Sequence, residues 1–425
     1  MTRASSLLLF SLGIGALAAA CRSDDHGNLC TEGSARACLG PGDCPGSQTC
    51  IKNGLAYGPC SCGSNTGGAA GAAGAAGAAG SGGGVVAPPC TPTGKDADGD
   101  CFGEGDDDCN DADPGVNPGA IDYPGNNQDE DCSGVPDDLT ACDGSLTNTA
   151  DGDPMNGARA IGLCQTASKD DRKWGVIAAK YVMADGKLGM NEKSHGLLPS
   201  FGTNVLPREG SRMLALSSGT AREPSDGEYQ PVSGADMGTT GQAPAGFPID
   251  SPSCKVVTEK DKITHDAAAL EISLRVPSNA KSLLVDTLYY TFEFPSYVCT
   301  KYNDFFVTLQ YPAPKNAQFG NIAFDGDGNP VSVNNAYLRA CKPQSAGGKA
   351  FDCPLGTSLL EQTGFDQSAA TGWLVTQSPA TPRSIVTLRF AIWDMGDHIL
   401  DSTVLVDDLR FSTDPVAQAV TSPAP

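Results

Sequence analysis

At 425 residues the chain has room for two or three domains, and it carries a net charge of −22. That acidic balance excludes nucleic acid and anionic membrane surfaces as electrostatic partners, since both are polyanions, and it suits cations. A composition rich in Gly and Pro, with few charges outside one acidic stretch, fits an all-β exported protein with many turns.

In chain order, residues 1–20 form a signal peptide. Arg3 gives a positive start, Leu7 to Leu17 an apolar run too short to span a membrane stably, and Ala18-Ala19-Ala20 a small-residue cleavage site. Cys21 follows. Small residues directly before a Cys resemble the bacterial lipobox, although Ala18 stands where Leu is usual and Leu17 is one place early. The resemblance implies that Cys21 becomes a lipidated N-terminus and anchors the protein to a membrane; the alternative is an ordinary secretory signal. Arg22 stands where Asp would retain a lipoprotein at the inner membrane, which implies the outer membrane or cell surface.

The chain holds seventeen Cys, an odd number for an exported protein. Setting Cys21 aside leaves sixteen in even groups: six at 30–62, six at 90–164 and four at 254–353. Export makes disulfides the default over zinc, and spacing leaves their connectivity open. Residues 21–62 hold the lipidated Cys and a Cys-rich module in which disulfides replace a core. Its phrase from Cys30 to Cys60 is similar to a short motif near the N-terminus of other bacterial surface lipoproteins. Residues 63–89 repeat Gly and Ala and predict a flexible linker with a reach of about 25–30 Å.

Residues 90–138 are the most unusual stretch. From Gly94 to Asp138 there are fifteen acidic residues against one Lys, a net −14, with only Phe102, Val116, Ile121 and Tyr123 for a core. Carboxylates this close repel one another, and the segment stays open unless a cation joins it. Asp96, Asp98 and Asp100 alternate, as do Asn127, Asp129 and Asp131, so that their oxygens can converge on a hard cation. Asp107 rather than Glu stands twelfth, so this is not an EF-hand. Four phrases resemble the Asp-rich metal-binding motif of bacterial surface proteins: Asp96-Ala97-Asp98-Gly99-Asp100, Asp108-Cys109-Asn110-Asp111, Pro118-Gly119-Ala120 and Asp129-Glu130-Asp131-Cys132-Ser133-Gly134. Asn110 and Asp122 depart from it, standing where Asp and Glu are usual. The expected ligands are Asp96, Asp98, Asp100, Asp108, Asp111, Asp129 and Asp131, holding one or two Ca2+ ions. Oxygen donors in a loose loop favour Ca2+ over Zn2+, copper or Mg2+. The alternative is a solvated acidic linker.

From residue 139 to 412 period-two alternation predicts a β-sandwich or jelly roll. Strands are expected at Ala268–Val276, Asp304–Tyr311, Ser384–Trp393 and Thr403–Phe411. Leu283–Phe294, apolar on both faces, predicts a central strand. Residues 413–425 are expected to be disordered. The phrases at 202–219, 292–306 and 391–411 together resemble the choice-of-anchor L domain of bacterial surface proteins, which implies surface display and supplies no catalytic residues. Asp394, Asp397 and Asp401 form a possible second cation site, with Glu293, Asn303 and Asp304 nearby if the strands pair suitably. Asp and Asn at strand ends also form turns without any ion.

Catalytic signals are weak. The four His make no HExxH-type pair and no G-x-S-x-G elbow occurs. Ser278-Asn279-Ala280-Lys281 matches S-x-x-K by letter only and reads as a loop after Pro277. The expected function is a lipid-anchored, calcium-binding surface protein whose β domain meets a surface glycan or protein ligand in binding or adhesion. The alternatives are an extracellular polysaccharide-acting enzyme and a structural envelope component.

Overall fold

The computed structural model describes residues 90–138, 141–254, 262–396 and 398–424, with the backbone of three short strands ahead of them. The signal peptide, Cys21 and the Gly/Ala linker lie outside the described residues. The chain divides into two compact units, Met1–Ala78 and Ala79–Pro425. In the first, β1 (Ala35–Gly40), β2 (Cys44–Thr49) and β3 (Ser61–Cys62) form an antiparallel sheet in that order.

Among its described residues the second unit carries one short α-helix, α1 (Pro154–Arg159). Its strands are β4 (Gly175–Val182), β5 (His195–Leu198), β6 (Met213–Ser217), β7 (Thr240–Gln242), β8 (Ile263–Arg275), β9 (Ser282–Thr291), β10 (Phe305–Tyr311), β11 (Val331–Ser332), β12 (Gln344–Ala346), β13 (Lys349–Phe351), β14 (Ala369–Ala370), β15 (Leu374–Pro379), β16 (Ile385–Asp394), β17 (Ser402–Ser412) and β18 (Val420–Pro423). One sheet runs β11-β10-β16-β8-β4, with β7 also on β8. The other runs β18-β15-β9-β17-β6-β5, with β14 also on β9, and β12-β13 is a separate hairpin. The fold is therefore mainly β, a sandwich of antiparallel sheets. No helix among the described residues is long and apolar enough to cross a membrane.

The alternation explains the sandwich. Leu270, Ile272 and Leu274 of β8 and Val386, Leu388, Phe390 and Ile392 of β16 point to one face. They meet Leu283, Val285 and Tyr289 of β9 and Val404 and Val406 of β17 in one buried core. The outer faces are also covered. Phe305, Val307 and Leu309 of β10 pack away from that core, against Trp393 and Phe247. Leu288 and Tyr290 of β9 pack outward against Phe201 and Phe365. This second cover is why β9, lying between β15 and β17, is apolar on both faces.

The C-terminal segment is ordered where disorder was expected. β18 pairs with β15, and the Thr376 and Thr421 hydroxyls meet at 2.9 Å. Asn316 brackets Ala419 by accepting from its N–H at 2.9 Å and donating to its carbonyl at 2.7 Å. These fixed partners satisfy a backbone that composition alone leaves solvated.

Among the described residues, ten Cys form five disulfides, Cys90–Cys101, Cys109–Cys132, Cys142–Cys164, Cys254–Cys299 and Cys341–Cys353, each within the even groups seen in the sequence.

The acidic segment does not stand apart from the sandwich. Ser278 N donates to Gly119 O at 2.8 Å, Asn279 Oδ1 accepts from Ile121 N at 3.1 Å and its Nδ2 donates to Ile121 O at 2.8 Å. The S-x-x-K letter match is thus the turn on which the module sits. Phe102 is buried beneath Arg172, whose guanidinium lies 4.8 Å from the ring centre and pairs with Asp106 at 2.5 Å. A methyl group at Gly119 would lie 2.8 Å from Phe102 Cζ and 3.0 Å from Arg172 O, so glycine is required by close approach. Asn279→Ala should loosen this seat by about 1–3 kcal/mol, because two buried Ile121 groups lose their partners. Faster proteolysis within 94–138, with the sandwich intact, is the expected readout.

On β17, Asp407 is buried opposite Asp286, which pairs with Arg208 and Arg410 at 2.9 and 3.0 Å. Burial pushes the Asp407 carboxyl up to about 8, against the pull of the Arg208 and Asp408 N–H groups. The folded chain then holds a proton that the unfolded chain has released. This contribution is present at acid pH and is lost as pH rises towards about 8. Asp407→Asn should flatten that part of the slope, measured as denaturant midpoints at acid and mildly alkaline pH.

Candidate metal centre

The expected ligands fall into two groups. In the first, carboxylate oxygens of Asp96, Asp98 and Asp100 lie within 4.8 Å of one another. The loop is bent by Gly99, whose φ of +83° favours glycine. Asp96 accepts from Gly99 N at 2.7 Å and Cys101 N at 3.2 Å, and the Cys90–Cys101 bridge fixes the end of the turn. Asp98 and Asp100 each use Oδ1 to accept a main-chain N–H two residues on. Asp111 Oδ1 accepts from Ala97 N at 2.8 Å.

What remains unused is informative. Asp98 Oδ2, Asp100 Oδ2 and Asp108 Oδ2 are buried and have no hydrogen-bond partner. Asn117 comes near Asp100 without completing a bond of good geometry. Burial pushes the Asp100 carboxyl up to about 6, and burial followed by the charges of Asp108, Asp96 and Asp111 raises Asp98. The nearby arginines do not neutralise the group. Arg383 and Arg172 donate to the carbonyls of Asp100 and Cys101, each at 2.5 Å. Arg172 spends its charge on Asp106, which it holds well below the usual carboxylate range. Oxygens left bare and charge left uncompensated fit a hard cation.

The second group is Asp122, Asp129 and Asp131, again within 4.8 Å. Its oxygens are better occupied. Asp122 accepts from Glu130 N, Asp131 N and Asp138 N at 2.8, 3.2 and 3.0 Å. Asp129 accepts from Ser133 N and Gly134 N, both at 2.9 Å, and Asp131 also accepts from Ser133 N at 2.9 Å. Burial, then the charges of Asp122 and Asp138, raises Asp131. Asp122 was not among the expected ligands; its place opposite Asp129 and Asp131 comes from the turn after Ala120. Both groups can hold a metal ion, and the first offers more free lone pairs.

Of the possible second site, Asp394 ends β16 and Asp401 directly precedes β17, both buried at one end of the sandwich. Asp397 lies outside the described residues. A third group, Asp236, Asp266 and His398, comes from three separate segments and was not expected. Asp266 there accepts from Met237 N at 3.0 Å and Thr239 N at 2.8 Å, and His398 Nδ1 is 3.9 Å from both carboxylates. Compared with known proteins, the chain matches no family model and no curated protein.

Proposed function

We propose that this chain is an exported, lipid-anchored surface protein in which a Ca2+-binding acidic module braces a β-sandwich used for binding or adhesion. The observation that carries the reading is the trio of bare, buried oxygens on Asp98, Asp100 and Asp108, held on a disulfide-bonded loop seated on the sandwich. Ca2+ accepts six to eight oxygens in irregular cages, whereas Mg2+ demands near-octahedral geometry and thiolate or imidazole would be needed to favour Zn2+ or copper. Extracellular sites of this kind need affinities of only about 10⁻⁴–10⁻³ M. The signal-like N-terminus, the lipobox-like Cys21 and the similarity to the choice-of-anchor L domain support surface display. A cleft of about 550 Å³ bordered by Asp327, Asn329, Arg339 and Lys349 offers the donors and acceptors that a glycan ligand needs.

Two measurements on the full protein test this. Cells expressing it should incorporate a fatty-acid analogue at Cys21, and Cys21→Ser should release unlabelled protein into the medium. A wild type that takes up no label and is secreted freely would refute the anchor. The exported protein should then retain a ligand on a glycan or surface-protein array in millimolar Ca2+, with Asp327→Ala weakening retention. Turnover of a polysaccharide without retention would favour the enzyme instead.

A further inference from the structure

Strand pairing brings Asp236, Asp266 and His398 together from three parts of the chain. Thr240 of β7 pairs with His265 of β8, and Asp266 N donates to Thr239 O at 3.0 Å, which lays the segment before β7 along Asp266. Asp394, at the end of β16, pairs with the same His265 across a bulge, so the connection from β16 to β17 starts there too. His398 lies in that connection. Its ring packs on the His265 ring with centres 3.6 Å apart, which fixes the plane of the imidazole.

The two carboxylates are held from behind by the segment before β7. Asp266 is 2% exposed; its Oδ1 accepts from Thr239 N at 2.8 Å and Thr239 Oγ1 at 3.2 Å, and its Oδ2 accepts from Met237 N at 3.0 Å. Asp236 Oδ1 accepts from Gly238 N at 2.7 Å. With one N–H each, Asp266 Oδ2 and Asp236 Oδ1 keep a lone pair for an ion, and outer partners of this kind orient metal ligands.

An independent observation points to a ligand between these groups. His398 Nδ1 is buried and has no hydrogen-bond partner, yet it lies 3.9 Å from Asp236 Oδ1 and 3.9 Å from Asp266 Oδ2. A protonated imidazole bonded to a carboxylate would close to about 2.7–2.9 Å. Two ligand atoms at about 2.0–2.2 Å from one tetrahedral Zn2+ stand about 3.3–3.6 Å apart. On both sides the observed spacing is nearer to that of a bridged pair than to that of a bonded one. Among the described residues no Lys or Arg pairs with either carboxylate. The Asp236 side chain is 64% exposed, which gives an ion a way in and leaves room for water as a further ligand.

We propose that Asp236, Asp266 and His398 bind one divalent metal ion of the Zn2+ class, which fastens the connection between the two sheets, from β16 to β17, onto β8. An imidazole beside two carboxylates suits such an ion, whereas Ca2+ takes six to eight oxygens. The trio shares no residue with the acidic module, and the inference does not rest on the ion held there.

The full protein, stripped by chelator and returned to millimolar Ca2+ so that oxygen-only sites are filled, should still bind an equivalent of Zn2+ by calorimetry and melt higher for it. His398→Ala and Asp236→Asn should each weaken that binding by at least about 10–100-fold, the range that losing even an outer partner costs. Co2+ in place of Zn2+ should give visible d–d absorption that His398→Ala removes. Asn at 236 still offers an oxygen to Gly238 N, so Asp236→Asn decides the matter if His398→Ala fails to fold. No Zn2+ binding above the Ca2+ background, or Zn2+ binding that neither substitution weakens, would overturn the proposal and leave His398 in an ion pair with the two carboxylates. Module binding fails independently, since it is read as the response to Ca2+ alone.

Discussion

Replacing Asp98 and Asp100 with Asn should move stability in opposite directions with and without Ca2+. In the metal-free protein at neutral pH the variant should melt higher than the wild type. Asp100 is buried, its carboxyl is pushed up to about 6, and ionising it there costs free energy that a neutral amide avoids. In millimolar Ca2+ the order should reverse. The wild type gains RT ln(1 + [Ca2+]/Kd), whereas the variant has lost two charged ligands, for which a loss of about 100-fold in affinity is expected. Thermal melts with chelator and with Ca2+ check both signs. A variant that keeps the full Ca2+ response would move the ion elsewhere.

Phe390→Ala should be the most damaging single change in the sandwich. The side chain is fully buried on β16, between β10 and β8, and it points into the core between the sheets. Truncation should cost about 3–5 kcal/mol and lower the melting temperature by on the order of 10 °C. Val135→Ala, at a position 56% exposed in the module, should stay within about 0.5 kcal/mol. Chemical denaturation of both variants makes the comparison. Equal losses would mean that the core does not lie between β8, β16, β9 and β17.

The strands that were legible in the sequence are those with an uninterrupted period of two. β8, β10, β16 and β17 fall where their alternation puts them, and β9 is central as its two apolar faces require. β4 escaped because Ala178 and Ala179 replace larger side chains and a bulge between Val176 and Ala178 breaks its period. β5 and β6 are short and wholly buried, so their apolar runs carry no alternation to read. β18 is a polar edge strand whose partners Tyr337 and Thr376, like Asn316 on the preceding Ala419, are far away in sequence.

The acidic segment shows a similar division. Its Asp spacing grouped Asp96 with Asp98 and Asp100, and Asp129 with Asp131, but gave neither the place of Asp122 beside the latter pair nor the seat that Ser278 and Asn279, about 160 residues on, provide against the sandwich. Asp304 and Asp394 meet only because Phe305 pairs with Trp393, a register that no local pattern specifies. The group of Asp236, Asp266 and His398 gave no signal, since its members share neither a motif nor a segment.

Hydrogen exchange on the full protein, with and without millimolar Ca2+, tests the module most directly. If Asp96, Asp98, Asp100, Asp108 and Asp111 hold the ion, amides between residues 96 and 111 should exchange markedly more slowly with Ca2+, and Asp98→Asn with Asp100→Asn should erase the difference. The central strands β8 and β16 should exchange alike in both conditions. Identical exchange between residues 96 and 111 with and without Ca2+, up to about ten millimolar and so well above the affinity range of such sites, would contradict the account and leave that stretch a solvated acidic surface.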